Sequence, residues 1–124
     1  MKKIYVADDD PTISQVLKLS LAKIPDLEAS FFTDGLNLYR AVQQSKPDAI
    51  VSDIILPRLD GLAAVRLLKF DEQYREIPVL MISSITDQDI EDQVRKVGAD
   101  DFLRKPFKPN EIRDRVKALL GLPS

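Results

Sequence analysis

Ala49-Ile50-Val51-Ser52-Asp53 is an apolar run of strand length that ends on a carboxylate. Three other runs have the same form. Ile4-Tyr5-Val6-Ala7 leads into Asp8-Asp9-Asp10, Val79-Leu80-Met81-Ile82 into Ser83-Ser84, and Phe102-Leu103-Arg104 into Lys105-Pro106-Phe107. In an open parallel α/β sheet, ligands bind in the crevice beyond the carboxyl ends of the strands. Runs that all end in reactive groups therefore converge on one pocket holding three carboxylates, a hydroxyl and an ammonium.

The segments between the runs have helical period. The first helix takes Asp10 as N-cap and Pro11 at N1, where the missing N–H costs nothing; its core stripe is Ile13, Val16, Leu17, Leu21 and Ile24, and Pro25 helps to end it. A second strand is expected over 28–32, followed by an Asp34-Gly35 turn and a helix carrying Leu38, Tyr39 and Val42. Pro47 precedes the third strand and Pro78 opens the fourth. The third helix starts near Asp60-Gly61 with Leu62, Val65 and Leu68 inward. The fourth has the weakest stripe, Ile90, Val94 and Val97, and stops at Gly98. The fifth enters through Pro109 and carries Ile112, Val116, Leu119 and Leu120. Strands alternating with helices imply βα units and a mainly parallel sheet. Five of each fit an α/β doubly wound (βα)5 sheet of flavodoxin-like strand order 2-1-3-4-5.

Composition narrows the function. A chain of 124 residues, 44% of them hydrophobic, makes one ordinary domain with a proper core. Eighteen basic against 20 acidic residues give no clustered basic footprint for nucleic acid, so direct nucleic acid binding is not expected. No apolar stretch reaches the ~18 residues of a membrane span and there is no secretory h-region, so no membrane association and a cytoplasmic location are expected. The absence of cysteine excludes disulfides and thiolate zinc sites. The absence of histidine excludes an imidazole base, a histidine metal ligand and a phosphohistidine within this chain.

Three carboxylates in one crevice repel, so some must protonate or the site must loosen unless a counter-charge is present. A divalent cation resolves the repulsion, and Mg2+ (or Mn2+) suits it, being hard and otherwise satisfied by water and phosphate oxygens. Asp10 keeps the plain reading of a helix cap. Asp8 and Asp9 follow a strand beside the one that Asp53 ends, and read as metal ligands.

The order and spacing of Asp8-Asp9, Asp53 followed by Pro57 and Gly61, Ser83, and Gly98-Ala99-Asp100-Asp101-Phe102-Leu103-Arg104-Lys105-Pro106-Phe107 resemble the receiver domain of two-component response regulators, from Ile4 to about Leu120. The resemblance implies that Asp53 is the phosphoacceptor, that Asp8, Asp9, Asp53 and the backbone carbonyl of Ile55 hold the metal, and that Ser83, the amide of Ser84 and Lys105 bind phosphate. It implies a cis bond before Pro106, aiming the Lys105 ammonium into the pocket. Ser83 and Phe102 are then the switch pair, read out on the face of the fourth helix, fifth strand and fifth helix, where Ile90, Val94 and Arg115 also lie. Ile55 and Ile85, two residues after the acceptor and the hydroxyl residue, take positions that flank the path of attacking water, and their apolar branched side chains predict slow loss of phosphate. Implied partners are a sensor histidine kinase or phosphotransfer protein, and a downstream effector or attached output domain. Asp100, Asp101, Glu111, Arg115 and Lys117 resemble charges that join receivers of winged-helix regulators into homodimers, while Glu91 and Val97 depart from that pattern; solvated charge is the alternative.

Residues 1–121 read as a single receiver domain, regulatory rather than enzymatic. Residues 122–124 are a tail or the start of a linker, which suits a free-standing receiver and equally a part of a longer regulator. The best enzyme alternative is a haloacid-dehalogenase-type phosphatase, with Asp8 of Asp8-Asp9-Asp10-Pro11-Thr12 as nucleophile. Against it, Asp100-Asp101 precede Lys105 where that fold needs an acidic pair after it, the chain is short, and 53–61 is left unexplained. A third reading is a receiver-like docking module that never accepts phosphate.

Overall fold

A computed structural model describes residues 1–123 of the chain; Ser124, the last residue of the expected tail, lies outside them. Among these residues five strands alternate with five helices: β1 (Lys2–Ala7), α1 (Pro11–Leu21), β2 (Leu27–Phe32), α2 (Gly35–Gln44), β3 (Ala49–Asp53), α3 (Gly61–Phe70), β4 (Val79–Ser83), α4 (Ile90–Lys96), β5 (Asp101–Arg104) and α5 (Pro109–Leu120). All pairings are parallel, in the order β2-β1-β3-β4-β5. This is the flavodoxin-like order expected from the sequence.

The period of two along each strand divides the core between the sheet's faces. Tyr5, Ala7, Ile50, Val79 and Met81 pack with Leu38 and Val42 of α2, Val65 and Leu68 of α3, and Ile90 and Val94 of α4. Ile4, Val6, Val51, Leu80 and Ile82 pack with Leu17 and Leu21 of α1 and Ile112, Val116 and Leu120 of α5. Every residue of β3 and β4 is buried, as central strands covered on both faces must be.

Local chemistry sets the ends. Asp10 caps α1 by accepting the Thr12 N–H (2.9 Å), and Pro11 is its first residue. The helix stops at Leu21, before Pro25 acts, because its last turn tightens: Ile24 N–H bonds the Leu21 carbonyl (3.0 Å), which swings Ile24 into the core. β2 begins at Leu27, one residue earlier than the pattern suggests, since Leu27 stands opposite Lys2.

The seven-residue α4 is held unevenly. Its N-cap, Asp89, makes no side-chain capping bond. Its C-terminal end is closed by a Schellman motif: Gly98 N–H bonds Arg95 O (3.0 Å), Ala99 N–H bonds Val94 O (3.2 Å), and Gly98 takes the left-handed conformation at φ +91°. Gly98 also rests on the Lys69 stem, with a β-carbon there falling 3.3 Å from Lys69 Cγ. Lys69 Nζ in turn donates to the carbonyls of Arg75 (3.1 Å) and Ile77 (2.7 Å) and to Asp100 Oδ2 (3.0 Å), tying α3, the α3–β4 loop and the α4–β5 turn together.

Candidate functional site

The register brings the strand ends to one edge: Ala7 stands opposite Ser52, Asp53 opposite Ile82, and Ser83 opposite Arg104. The residues just beyond therefore gather. Asp8 leaves β1 through an N–H bond to Phe32 O (3.1 Å) and accepts the Asp10 N–H on Oδ1 (2.9 Å). Lys105 leaves β5 through an N–H bond to Ser83 O (2.9 Å), and its bond to Pro106 is cis as expected. Its Nζ lies 2.8 Å from Asp53 Oδ2 and 2.9 Å from Asp8 Oδ2. Asp8, Asp9 and Asp53 each offer one carboxylate oxygen within 4.8 Å of the others. Asp8 and Asp53 are buried, whereas Asp9 is exposed and leaves the cluster open to solvent.

The electrostatics follow from the burial. Loss of solvent lifts the Asp8 carboxyl above its ordinary value of 3.8, against the opposing pull of Lys105 and the Asp10 N–H. Burial alone would lower the Lys105 ammonium, but its hydrogen bond to Asp53 and its ion-pair contacts with Asp53 and Asp8 outweigh this and hold it above 10.5. Asp8 Oδ2 touches Nζ at 2.9 Å as an ion pair but off the hydrogen-bonding angle, so this buried oxygen has no hydrogen-bond donor. A buried, donor-poor carboxylate oxygen among three carboxylates fits a hard divalent cation.

Ser83 is buried, and its Oγ accepts the Ile85 N–H (3.0 Å), which leaves the hydroxyl proton to donate elsewhere. Ser84 is exposed. The two isoleucines differ: Ile55 is 60% exposed beside Asp53, whereas Ile85 is half-buried against the core. Phe102 is half-buried at the rim of a cavity of about 270 Å3 between α4 and β5, lined also by Glu91, Val94 and Ala99 and not by Asp8, Asp9 or Asp53. Ile90 and Val94 are buried in α4, and Arg115 is half-buried.

Sequence reasoning overlooked Arg104. Its guanidinium stacks over the Phe102 ring (5.3 Å), donates to the Ile85 carbonyl (2.6 Å) and reaches Glu91 (3.4 Å). The strand pattern marks Arg104 only as an outward residue, and its partners 13 and 19 positions away leave no local signal. Four of the five charges resembling a dimer face, Asp100, Asp101, Glu111 and Arg115, have partners inside the chain. Arg115 pairs with Asp101 (2.8 Å) and donates to Phe102 O (3.0 Å), Asp100 accepts the Val79 N–H (2.8 Å), and Glu111 accepts the Lys108 N–H (2.9 Å).

A doubly wound sheet thus gathers three carboxylates and a paired ammonium at its carboxyl edge, a cluster that could hold a metal ion. Residues 4–117 match the response regulator receiver domain family, and the chain belongs to it. It is 36% identical over 122 residues to the DNA-binding dual master transcriptional regulator RpaA of Synechocystis, covering 97% of this chain and 49% of that protein. The chain spans about half the length of the curated relatives it matches. A response regulator of Chloroflexus aurantiacus superposes with TM-score 0.89 at 28% identity, over 97% of this chain and 98% of that one. The receiver domain of a Pseudomonas aeruginosa sensor histidine kinase, solved with magnesium in its active-site cleft, gives 0.87 at 27% identity over 97% and 98%. This is a regulatory domain of two-component systems, a family that works with histidine kinases and output domains. Among the described residues no helix is long and apolar enough to cross a membrane.

Proposed function

We propose that Asp53 accepts a phosphoryl group from phosphohistidine on a sensor kinase or phosphotransfer protein. The observation that carries this reading is the half-buried Lys105 ammonium bridging Asp8 and Asp53. An Asp53 carboxylate oxygen forms a bond to phosphorus as the P–N bond to the partner's imidazole breaks, so the group passes without a protein base. Asp8, Asp9, Asp53 and the Ile55 carbonyl would hold Mg2+, with Mn2+ as a substitute. When bound, the cation neutralises charge on the transferred phosphoryl oxygens. Lys105 neutralises another oxygen, while the Ser83 hydroxyl and Ser84 N–H bond the product. Magnesium-dependent labelling by acetyl phosphate tests the reading.

Residues 1–121 then act as one receiver unit, with readout on the α4–β5–α5 face toward an effector, an attached output domain or a second copy. The internal partners of Asp100, Asp101 and Arg115 weigh against the homodimer, which would have to replace them. The relative from Synechocystis is a DNA-binding regulator, which supports the cytoplasm as the compartment. The phosphatase reading loses support because Asp10, its second carboxylate, is engaged as the α1 cap.

A prediction concerns Asp8. Because its folded pKa is raised, the folded state holds the proton more tightly. Stability from that proton is present at low pH and is lost as pH rises from about 3.8 through the folded value. Asp8→Asn should therefore raise the metal-free melting temperature at pH 7 while erasing magnesium-dependent stabilisation. Wild-type magnesium affinity should weaken on acidification already above the ordinary carboxylate range, as the proton competes for Asp8. Thermal melts with and without magnesium across pH check both.

Another concerns the lifetime of the phosphoryl group. Ile55 and Ile85 crowd the approach of water and cannot orient it. Ile55→Asn should hasten hydrolysis about three- to tenfold, and Ile85→Glu, starting from a half-buried side chain, by less. Phosphate loss followed under saturating magnesium decides; unchanged lifetimes in both variants mean the isoleucines do not gate water.

A further inference from the structure

The loop leaving Asp53 contains a strained turn. Arg58 has φ +69°, and the Leu59 N–H bonds the Pro57 carbonyl at 2.8 Å, a γ-turn that puts a non-glycine residue in the left-handed region. Such a conformation persists only where its surroundings over-determine it. Here the corner between β2 and α2 does so. Arg58 Nη1 donates to Asp34 Oδ2 (3.3 Å). The Gly35 N–H reaches the Pro57 carbonyl (3.3 Å), and Gly35 lies so close that a β-carbon there would stand 1.7 Å from the Leu59 carbonyl oxygen. Asp34 is itself fixed, being buried and accepting the Asn37 N–H (2.7 Å) and the Asn37 side-chain amide (3.0 Å).

The other side of the loop is closed where the Gly61 N–H bonds the Ile54 carbonyl (2.8 Å). Ile55 lies between the two fastenings, its side chain in solvent and its N–H at a long 3.3 Å from Asp53 Oδ1. The direction of its carbonyl is therefore set by how the loop is held beyond it. We infer that Asp34 and Arg58 are positioning residues for the metal site: their ion pair holds the strained turn, and the turn holds the Ile55 carbonyl toward the cation. This rests on the proposed reading of Asp8, Asp9, Asp53 and the Ile55 carbonyl as metal ligands.

Positioning separates here from charge and from stability. Removing the Arg58 cation should, by charge alone, tighten magnesium, whereas loss of the clamp weakens it. Glycine at 58 relieves the left-handed strain, so the fold gains what the site loses. The experiment measures the magnesium dissociation constant by calorimetry and the metal-free melting temperature for the wild type, Arg58→Gly, Arg58→Lys, Asp34→Asn and Asp53→Asn. Arg58→Gly should melt no lower than wild type yet bind magnesium about tenfold more weakly, the scale of losing a group that orients a ligand. Asp34→Asn keeps a competent helix cap and should weaken magnesium similarly, and Arg58→Lys, which restores the charge, should recover part of the affinity. Magnesium bound by Arg58→Gly as tightly as by wild type, or weakened only in step with a lowered melting temperature, overturns the inference. Undiminished binding by Asp53→Asn would instead overturn the site reading beneath it, and the inference with it.

Discussion

Incubated with acetyl phosphate and magnesium, the wild-type chain should gain one phosphoryl group in intact mass, and Asp53→Asn should gain none. The effect is all-or-none because the amide retains nearly the shape of the carboxylate but lacks the anionic oxygen that forms the bond. Neighbouring carboxylates do not substitute for it. Asp8 is buried and ion-paired to Lys105, and Asp10 caps α1 through Oδ1. Asp9, the exposed member of the cluster, is the carboxylate to watch, and mass mapping of the labelled peptide separates it from Asp53. Label retained by Asp53→Asn and lost by Asp8→Asn or Asp10→Asn would transfer the chemistry to the first loop and restore the phosphatase reading.

Lys105→Ala should separate metal binding from response. In the folded state the ammonium's pKa is raised, so its stabilising effect is fully present below 10.5 and lost only as pH rises through the folded value. At pH 7 the substitution thus removes the whole contribution and leaves Asp8 and Asp53 facing each other. Breaking one side of a buried pair costs about 3–5 kcal/mol, and about 3 is expected here because the cluster opens to solvent at Asp9. Magnesium should restore much of that loss and bind more tightly than in wild type, since no lysine competes for the same oxygens. The conformational change on adding beryllofluoride should nevertheless be largely absent, one phosphate contact being gone. Melting curves and amide chemical shifts, each with and without magnesium, distinguish these effects. A normal shift response would make Lys105 a structural ion-pair partner alone.

Much of this arrangement was legible in the sequence, because strand ends and helix stripes are local signals. The run from Ala49 to Asp53 announces both a buried strand and the place where it ends, and Asp10-Pro11 marks a helix start by cap chemistry. With parallel order assumed, Asp8, Asp9, Asp53 and Lys105 had to meet. What stayed hidden depends on tertiary contact. Arg58 reads as an ordinary loop cation until its partner 24 residues away is known. Arg104 reads as a strand's outward residue until the Ile85 carbonyl is seen against it. Ile55 and Ile85 look alike in one dimension, yet one stands in solvent and the other leans on the core. The early end of α1 was equally out of reach, since burial of Ile24 rather than the following proline decides it.

The uneven fastening of α4 has a mechanical consequence. Its C-terminal end is pinned by the Gly98 closure resting on the Lys69 stem, while its N-terminal end, nearer Ser83, lacks a side-chain cap. A rod pinned at its C-terminal end and held at its front by lighter contacts, the 3.4 Å Arg104–Glu91 pair and the Asp89 N–H bond to Asp87 Oδ1 (3.0 Å), would pivot rather than slide. A small pull on the segment after Ser83 would then sweep the front of α4 through an arc about Gly98, with the largest displacement beside the signal's origin and the least beside Lys69.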